Sequence, residues 1–363
     1  RVVEAVREWG TALAVGDEPY DGLLDEHEPG MRTADLEPIF ERLTREITAL
    51  IATVPERPEP STFTGRTWAG DAQFALAHDI ARMVGFRFDT GLIALSAHPF
   101  TTSPHIGDAR FTTRITANDP TQNVLVTLHE LGHAMYSQGH PAEYARTLVF
   151  TSPSLGAEES QARFLENHVG RNPALWTALA PMMASRFGAA MDGITATDMH
   201  RAATRVSKGW IRVDADELTY DLHIALRFQL ELGLVRGTLD VADLPEAWND
   251  GLQRLLGIGA PTNRDGCMQD IHWAWGSFGY FPTYTLGNIY AAQISESLEA
   301  ELGTIGEIVE RGEFLAITEY LRERIHRHGS IMSTSELMKH ATGHEFSLEP
   351  FLRRSTRLAA DAR

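Results

Sequence analysis

Apolar residues recur at helical spacing along most of the chain. The pattern is clear between residues 34 and 53, where they are Leu36, Ile39, Phe40, Leu43, Ile47, Leu50 and Ile51. Such spacing places one apolar stripe on a helix and predicts an amphipathic helix there. The same periodicity predicts helices over residues 2–9, 71–84, 157–170, 176–187, 197–209, 215–236, 245–256, 286–303, 305–311, 314–325 and 334–342. The chain is therefore predicted to be mainly α.

Strand signals are few. Over residues 109–116, Phe111, Thr113 and Ile115 alternate with polar residues, the period-two pattern of a half-buried strand, and residues 92–97 give a second strand. These two strands predict a very small β-sheet, whose edge can bind an extended peptide. No linker, repeat or low-complexity tract divides the chain, and the proline-rich stretch 54–60 is interpreted as a loop between helices. We therefore expect one domain over residues 1–363.

The helix predicted over residues 120–138 has clear boundaries. Asp119 can cap its start, Pro120 suits the first helical position, and Gly139 followed by Pro141 provides a stop. One side of this helix is apolar, at Val124, Leu128, Leu131 and Met135. The opposite side must therefore face something other than the core.

That opposite side carries His129-Glu130-Leu131-Gly132-His133. Histidines four apart on a helix differ by only ~40° around the axis and by ~6 Å along it, so both imidazoles can reach one metal ion. The carboxylate of Glu130 falls beside them and can act as the general base. The pentapeptide predicts a zinc hydrolase.

Catalytic zinc normally has three protein ligands and one open position. Glu159, on the next predicted helix, is the candidate third ligand. The buried stripe of that helix is predicted to be Glu158, Ala162, Leu165 and Val169, with Glu159 at its border. The alternative is that Glu159 is a solvated carboxylate near a helix start.

Composition narrows the possible partners. The chain is 43% hydrophobic and 22% charged, an ordinary globular composition. A formal charge of −17 argues against nucleic acid as a partner, because binding of phosphates relies on clustered Lys and Arg. No segment reaches the ~18 uninterrupted apolar residues that a membrane span needs. Small or peptidic substrates fit this acidic charge better. The single cysteine, Cys267, excludes an intrachain disulfide and fits a reducing compartment, so we expect a cytoplasmic protein.

Five separated motifs resemble those of the thermostable carboxypeptidase family, metallocarboxypeptidases typified by carboxypeptidase Taq. They are D-x-R-x-T at 108–112, H-E-x-x-H at 129–133, I-R-x-x-A-D at 211–216, G-x-x-Q-D-x-H-W at 266–273, and H-E-S-Q at 158–161. In the last of these, Glu158 stands where the family has histidine. The match also includes residues 98–102 and 278–284.

The resemblance implies an elongated, mainly helical zinc peptidase of the H-E-x-x-H-plus-glutamate type, with a long substrate groove. It implies release of single amino acids from peptide C-termini with broad specificity and proline disfavoured. It also implies zinc or cobalt as the cofactor and a homodimer. Family members carry additional helices before the point at which this pattern begins, and we expect this chain to lack them.

Peptide hydrolysis by this family also needs donors for the oxyanion and a cation for the substrate carboxylate. His272, with Tyr280 or Tyr284, is the candidate oxyanion donor. Arg110 and Arg212, in the family motifs, are candidates for carboxylate binding. The alternatives are a buried structural histidine, core aromatic residues, and arginines that only pair with neighbouring aspartates.

Two other functions remain open. An endopeptidase or oligopeptidase would use the same metal chemistry without carboxylate capture. A non-catalytic helical protein that binds metal or peptide is the other alternative. The intact Glu130 argues against it, because a structural metal site needs no base.

Overall fold

The computed structural model describes residues 1–14, 16–55 and 63–362. Most of the proline-rich stretch predicted as a loop lies outside these residues. The helices are α1 (Val2–Leu13), α2 (Pro19–Asp25), α3 (Thr33–Ile51), α4 (Gly70–Met83), α5 (Pro120–Gly139), α6 (Leu155–Arg163), α7 (Pro173–Phe187), α8 (Ala196–Ala203), α9 (Tyr220–Arg236), α10 (Leu244–Leu256), α11 (Pro282–Leu302), α12 (Ile305–Glu310), α13 (Phe314–Arg324), α14 (Thr334–Thr342) and α15 (Glu349–Asp361). The strands are β1 (Gly91–Leu95), β2 (Thr101–His105) and β3 (Asp108–Thr113). The mainly α prediction with a very small sheet is confirmed.

Two predicted helices are longer than the observed ones. The helix predicted over 197–209 ends at Ala203, and the one predicted from residue 215 begins at Tyr220. Asp216 lies between them. Its carboxylate accepts hydrogen bonds from the backbone N–H groups of Ser207, Leu218 and Thr219. These groups are thereby diverted from regular helical hydrogen bonding, which explains the gap.

The sheet has three strands in the order β1-β3-β2. Strand β1 pairs in parallel with β3, and β2 pairs antiparallel to it, with Thr101 opposite Phe111. Strand β2 was not predicted because its sequence, Thr-Thr-Ser-Pro-His, has no apolar alternation. The sheet contacts α5, where the hydroxyl groups of Thr113 and Thr127 lie 2.9 Å apart. This contact places the sheet beside the H-E-x-x-H helix.

Helix α5 has the boundaries and orientation that its sequence predicts. The Asp119 carboxylate accepts a hydrogen bond from the Thr121 N–H at 2.9 Å, and the helix ends at Gly139. The residues of its predicted apolar side are buried: Val124, Leu128, Leu131 and Met135. The His-Glu-His edge is consequently turned towards α6 and β2.

A glycine brings α5 and α6 into close contact. A Cβ on Gly132 would lie 2.4 Å from the Gln161 carbonyl oxygen and 2.5 Å from the Ala162 Cα. Because these are backbone atoms, only glycine permits the two helices to approach this far. This close contact places Glu159, the third predicted ligand, opposite the two histidines of α5, because Glu159 lies about one turn before Ala162 on α6.

Within the described residues, none of the helices combines the length and apolar character needed to cross a lipid bilayer.

Candidate metal centre

Three side chains from α5 and α6 converge on one point. Ligand atoms of His129, His133 and Glu159 all lie within 4.8 Å of one another. The Glu159 Oε2 atom is 3.4 Å from His133 Nε2 and 4.0 Å from His129 Nε2. Two imidazole nitrogens and one carboxylate oxygen form a donor set typical of catalytic zinc. These residues therefore fit a divalent metal ion.

A carboxylate on the side away from the cluster fixes the orientation of the His129 ring. Its Nδ1 atom lies 2.9 Å from Glu166 Oε2, so that Nδ1–H donates to the carboxylate and Nε2 faces the cluster. Glu166 lies on the π-helix Phe164–Val169, which continues directly from α6. A π-turn inserts an extra residue per turn and is frequent at functional sites. Here the π-turn carries Glu166, which is the hydrogen-bond partner of the predicted metal ligand His129.

One buried arginine joins the two carboxylates. Arg163 Nε donates to Glu159 Oε1 at 2.6 Å, and its Nη1 donates to Glu166 Oε2 at 3.2 Å. Burial alone would raise the pKa of Glu159, but the charge of Arg163, together with the neighbouring His129 and His133, outweighs burial and lowers the pKa to about 2. The carboxylate is therefore ionised, as a metal ligand must be.

Glu130 is held beside this cluster by strand β2. The Thr101 hydroxyl donates to Glu130 Oε2 at 2.6 Å, and Glu130 is 6% exposed. The same hydroxyl lies 3.0 Å from the Glu130 carbonyl oxygen. The unpredicted strand thus fixes the candidate base.

The predicted environments of Glu158 and Glu159 are wrong. Glu159 is buried, whereas the Glu158 side chain keeps 36% of its surface exposed. The reason is the packing of α6 on α11, where a Cβ on Gly287 would lie 2.6 Å from the Glu159 Cγ. Glu159 is therefore inserted between helices and is not a solvated carboxylate at a helix start. Glu158 Oε1 lies 3.5 Å from His133 Nδ1, which has no hydrogen-bond partner among the described residues.

The cluster opens into a cavity of about 250 Å³. Its walls come from α5, α6, the segment before β2 and the start of α11. The lining side chains are His98, Pro99, Phe100, Thr101, His129, Glu130, His133, Leu155, Glu158, Glu159, Tyr280, Thr283 and Tyr284. The predicted ligands, the candidate base and two candidate oxyanion donors thus share one cavity.

His272 stands behind the two tyrosines. Its Nε2 atom is 3.3 Å from the Tyr284 hydroxyl, and its ring packs on Phe281 with the ring centroids 4.5 Å apart. Burial, followed by the charge of Arg212, lowers the pKa of His272 to about 4. The imidazole is therefore neutral at neutral pH. It touches the cavity wall through Tyr284.

The two candidate arginines are already paired with carboxylates. Arg212 is 7% exposed, and its Nε and Nη2 atoms donate to Asp270 Oδ1 at 3.0 and 2.8 Å. Its Nη1 donates to the Tyr220 hydroxyl at 3.0 Å. Arg110, on β3, makes two hydrogen bonds to Asp108 at 2.7 and 2.6 Å and is exposed. Among the described residues, no arginine or lysine lines the cavity.

Sequence reasoning missed three supporting residues, which are Thr101, Arg163 and Glu166. Thr101 lies within the stretch 98–102 that resembles the family, so a signal for it was present. The other two are charged residues whose burial the sequence pattern does not reveal. Their partners become apparent only when α5 and α6 are packed together.

Comparison with known proteins agrees with this geometry. The family described as carboxypeptidase Taq (M32) metallopeptidase matches residues 1–357. The chain is 42% identical over 346 residues to thermostable carboxypeptidase 1 of Thermus thermophilus, covering 93% of this chain and 68% of the relative. It is 35% identical over 351 residues to carboxypeptidase 1 of Bacillus subtilis, covering 96% of this chain and 70% of the relative.

Solved structures give the same result. The M32 carboxypeptidase from Deinococcus radiodurans matches with a TM-score of 0.93 and 34% identity, over 99% of this chain and 73% of that chain. Metallocarboxypeptidase 1 of Trypanosoma cruzi matches with a TM-score of 0.92 and 34% identity, over the same shares. The predicted family is therefore confirmed: this chain belongs to the carboxypeptidase Taq (M32) family and is a metallocarboxypeptidase.

Proposed function

We propose that this protein is a zinc-dependent carboxypeptidase that releases single amino acids from the C-termini of peptides, with broad specificity. The observation that carries the proposal is the convergence of His129, His133 and Glu159 within 4.8 Å, with Glu130 beside them in one cavity. Zinc, or cobalt in its place, suits two imidazoles and one carboxylate. When bound, the ion supplies a Lewis acid that activates water and polarises the scissile carbonyl.

Glu130 is the proposed general base and acid. It takes a proton from the water whose oxygen attacks the carbonyl carbon, and later delivers a proton to the nitrogen as the C–N bond breaks. The hydrogen bond from Thr101 to Oε2 holds this carboxylate in one orientation at 2.6 Å. The other carboxylate oxygen accepts no hydrogen bond from the described residues, and it can take the proton from the water.

Negative charge develops on the carbonyl oxygen during the attack, and aimed donors stabilise it. Tyr280 and Tyr284 line the cavity and carry hydroxyl donors, and His272 lies 3.3 Å from the Tyr284 hydroxyl. We propose His272 as an oxyanion donor, with Tyr280 or Tyr284 as the second donor. Burial raises the pKa of Tyr280 to about 12, so its hydroxyl keeps the proton that it would donate.

Arg110 and Arg212 are the proposed ligands of the substrate carboxylate. Arg212 lies next to the cavity wall, since its guanidinium carbon is 5.0 Å from the centroid of the Tyr284 ring. A substrate carboxylate must compete with Asp270 for Arg212 and with Asp108 for Arg110. Three of the five N–H donors of Arg212 bind Asp270 and Tyr220, so a substrate carboxylate can bind the remaining two without displacing either partner.

The proposal is tested by comparing one peptide with a free C-terminus and the same peptide with an amidated C-terminus. We expect the zinc-loaded protein to release single residues from the free peptide and to hydrolyse the amide far more slowly. Arg212→Lys and Arg110→Lys are then compared. The variant that lacks the carboxylate-binding arginine should show a smaller difference between the rates on the free and the amidated peptide, and the other variant should keep the wild-type difference. Equal rates on both peptides would favour the endopeptidase or oligopeptidase alternative. Absence of turnover with stoichiometric zinc would favour the non-catalytic alternative.

We also propose a cytoplasmic homodimer that has no nucleic-acid partner. The formal charge of −17 and the single, buried cysteine support the compartment and the absence of a polyanionic partner. The dimer follows only from the family resemblance. Light scattering after size exclusion tests it: a mass of about 80 kDa is expected, twice the 40.2 kDa of the chain.

A further inference from the structure

Glu158 is the one carboxylate of the cavity to which the proposed chemistry gives no role. It lies in the first turn of α6, next to Glu159, and lines the cavity together with Leu155 and Tyr280. Its side chain keeps 36% of its surface exposed. It is therefore accessible to a molecule that enters the cavity.

The other two cavity carboxylates have firm partners. Glu159 accepts a hydrogen bond from Arg163 at 2.6 Å, and Glu130 accepts one from Thr101 at 2.6 Å. Glu158 has only one ionic contact within the described residues, with His133 Nδ1 at 3.5 Å. The hydrogen-bonding capacity of this nitrogen is unused, so the contact is not a formed hydrogen bond. Glu158 thus presents a negative charge that no lysine or arginine of the described chain neutralises.

The charge balance of the cavity reinforces this asymmetry. Glu130, Glu158 and Glu159 contribute three carboxylates, and no arginine or lysine among the described residues lines the walls. Metal-binding imidazoles are neutral. Glu159 is also paired with the buried Arg163, so its charge is compensated without the metal ion. Glu158 is the most exposed of the three carboxylates and has no lysine or arginine partner among the described residues, so a cationic group that enters the cavity meets an unpaired carboxylate.

We propose that Glu158 is a specificity-determining residue that favours peptides with a lysine or arginine side chain next to the scissile bond. This inference rests on the proposed carboxypeptidase function. Glu158 lines the same cavity as the metal ligands, and its Oε1 atom lies 3.5 Å from Nδ1 of His133, so a residue next to the scissile bond can come within its reach. The aliphatic stem of the basic residue can pack on Leu155 and Tyr280 while its charged end reaches the carboxylate. The bond formed is a charge-assisted hydrogen bond, stronger than a neutral one.

A purely positioning role for Glu158 predicts different behaviour. If the carboxylate only orients His133 through Nδ1, its loss weakens metal binding and lowers turnover of every peptide by the same factor. A specificity role changes the ratio between charged and neutral substrates. That ratio does not depend on how much metal-loaded enzyme is present.

The test uses blocked peptides in matched pairs. One member of each pair contains lysine, and the other contains norleucine, whose side chain has a similar aliphatic stem but no charge. The pair is placed at the last position in one series and at the penultimate position in the other. kcat/KM is measured for wild type, Glu158→Gln and the control Glu143→Gln, all loaded with zinc. Glu143 is an exposed glutamate outside the cavity.

We expect wild type to prefer lysine over norleucine about tenfold at one of the two positions at low salt, and the preference to decrease as salt is added. In Glu158→Gln the ratio should fall close to one, whereas Glu143→Gln should keep the wild-type ratio. Turnover of the norleucine peptide by Glu158→Gln shows that the variant is folded and loaded.

Three results would overturn the inference. They are no lysine preference in wild type, the same preference in Glu158→Gln, and a uniform loss on both peptides with an unchanged ratio. If wild type hydrolyses neither member of any pair, the proposed function itself is wrong, and the preference fails with it.

Discussion

The orientation of His129 depends on a carboxylate behind it, and this dependence can be measured. Glu166 Oε2 accepts a hydrogen bond from His129 Nδ1 at 2.9 Å. Glu166→Gln keeps the shape of the side chain but replaces the charged acceptor with a neutral amide. We expect weaker zinc binding, because the imidazole becomes less basic and its ring is held less firmly.

The size of the effect follows from the contacts. A charge-assisted hydrogen bond is roughly twice as strong as a neutral one, and loss of such a partner lowers metal affinity by about 10- to 100-fold. This range corresponds to about 1.4 to 2.7 kcal/mol. Arg163 keeps its hydrogen bond to Glu159 at 2.6 Å, and Arg171 keeps one to Asn167 at 3.0 Å. The substitution therefore leaves both arginines with a partner, and we expect the variant to fold.

The assay is a zinc titration of the metal-free protein against a chelator of known affinity. Glu310→Gln, on the exposed side of α12, serves as the matched control. Glu166→Gln should bind zinc at least tenfold more weakly than wild type, and the control should not differ. At saturating zinc, most of the peptidase activity should return. An affinity within twofold of wild type would refute the role assigned to Glu166.

Three further predictions concern packing, pH and the base. Gly132→Ala places a Cβ 2.4 Å from the Gln161 carbonyl oxygen, so thermal unfolding should show a free energy of unfolding that is lower by about 2 kcal/mol or more. An unchanged melting temperature would contradict the close approach of the helices. Burial raises the pKa of Glu28 to about 7, so the folded state binds the extra proton between pH ~4.5 and ~7. The free energy of unfolding should therefore fall as pH rises through this window, by up to about 1.4 kcal/mol per pH unit. Urea titrations should show this slope in wild type and a shallower one in Glu28→Gln; equal slopes would be inconsistent with it. Thr101→Val removes the hydrogen bond to Glu130, so kcat should fall about tenfold at unchanged zinc content; steady-state kinetics that match wild type would exclude Thr101 as a support.

Local signals explain what the sequence could predict. The α5 helix could be bounded from Asp119 and Gly139 because capping and termination depend on neighbouring residues. Its two histidines could be assigned to one metal because their spacing alone places them together. The missed helix α15 has its apolar residues beside charged ones, with Phe351 and Leu352 followed directly by two arginines. Its buried residues Phe351, Leu352, Ser355 and Ala359 nevertheless recur at helical spacing, so a periodic signal was present and was missed.

Tertiary packing explains what the sequence could not predict. Glu159 was predicted as a metal ligand, but its burial depends on the space that Gly287 leaves on α11. From the sequence, the guanidinium of Arg212 was predicted to be available for the substrate carboxylate. In the structure it pairs with Asp270, 58 residues away. Buried and exposed charged residues look alike in a sequence, because the partner that permits burial lies elsewhere in the chain.

The most direct test of the account is Glu130→Gln. The variant keeps the size of the side chain and all three predicted ligands, so it should bind one equivalent of zinc with the affinity of wild type. Since it cannot take a proton from water, kcat on a peptide with a free C-terminus should fall by about 10²- to 10⁴-fold. Zinc-loaded Glu130→Gln that hydrolyses this peptide at the wild-type rate would contradict the proposed mechanism.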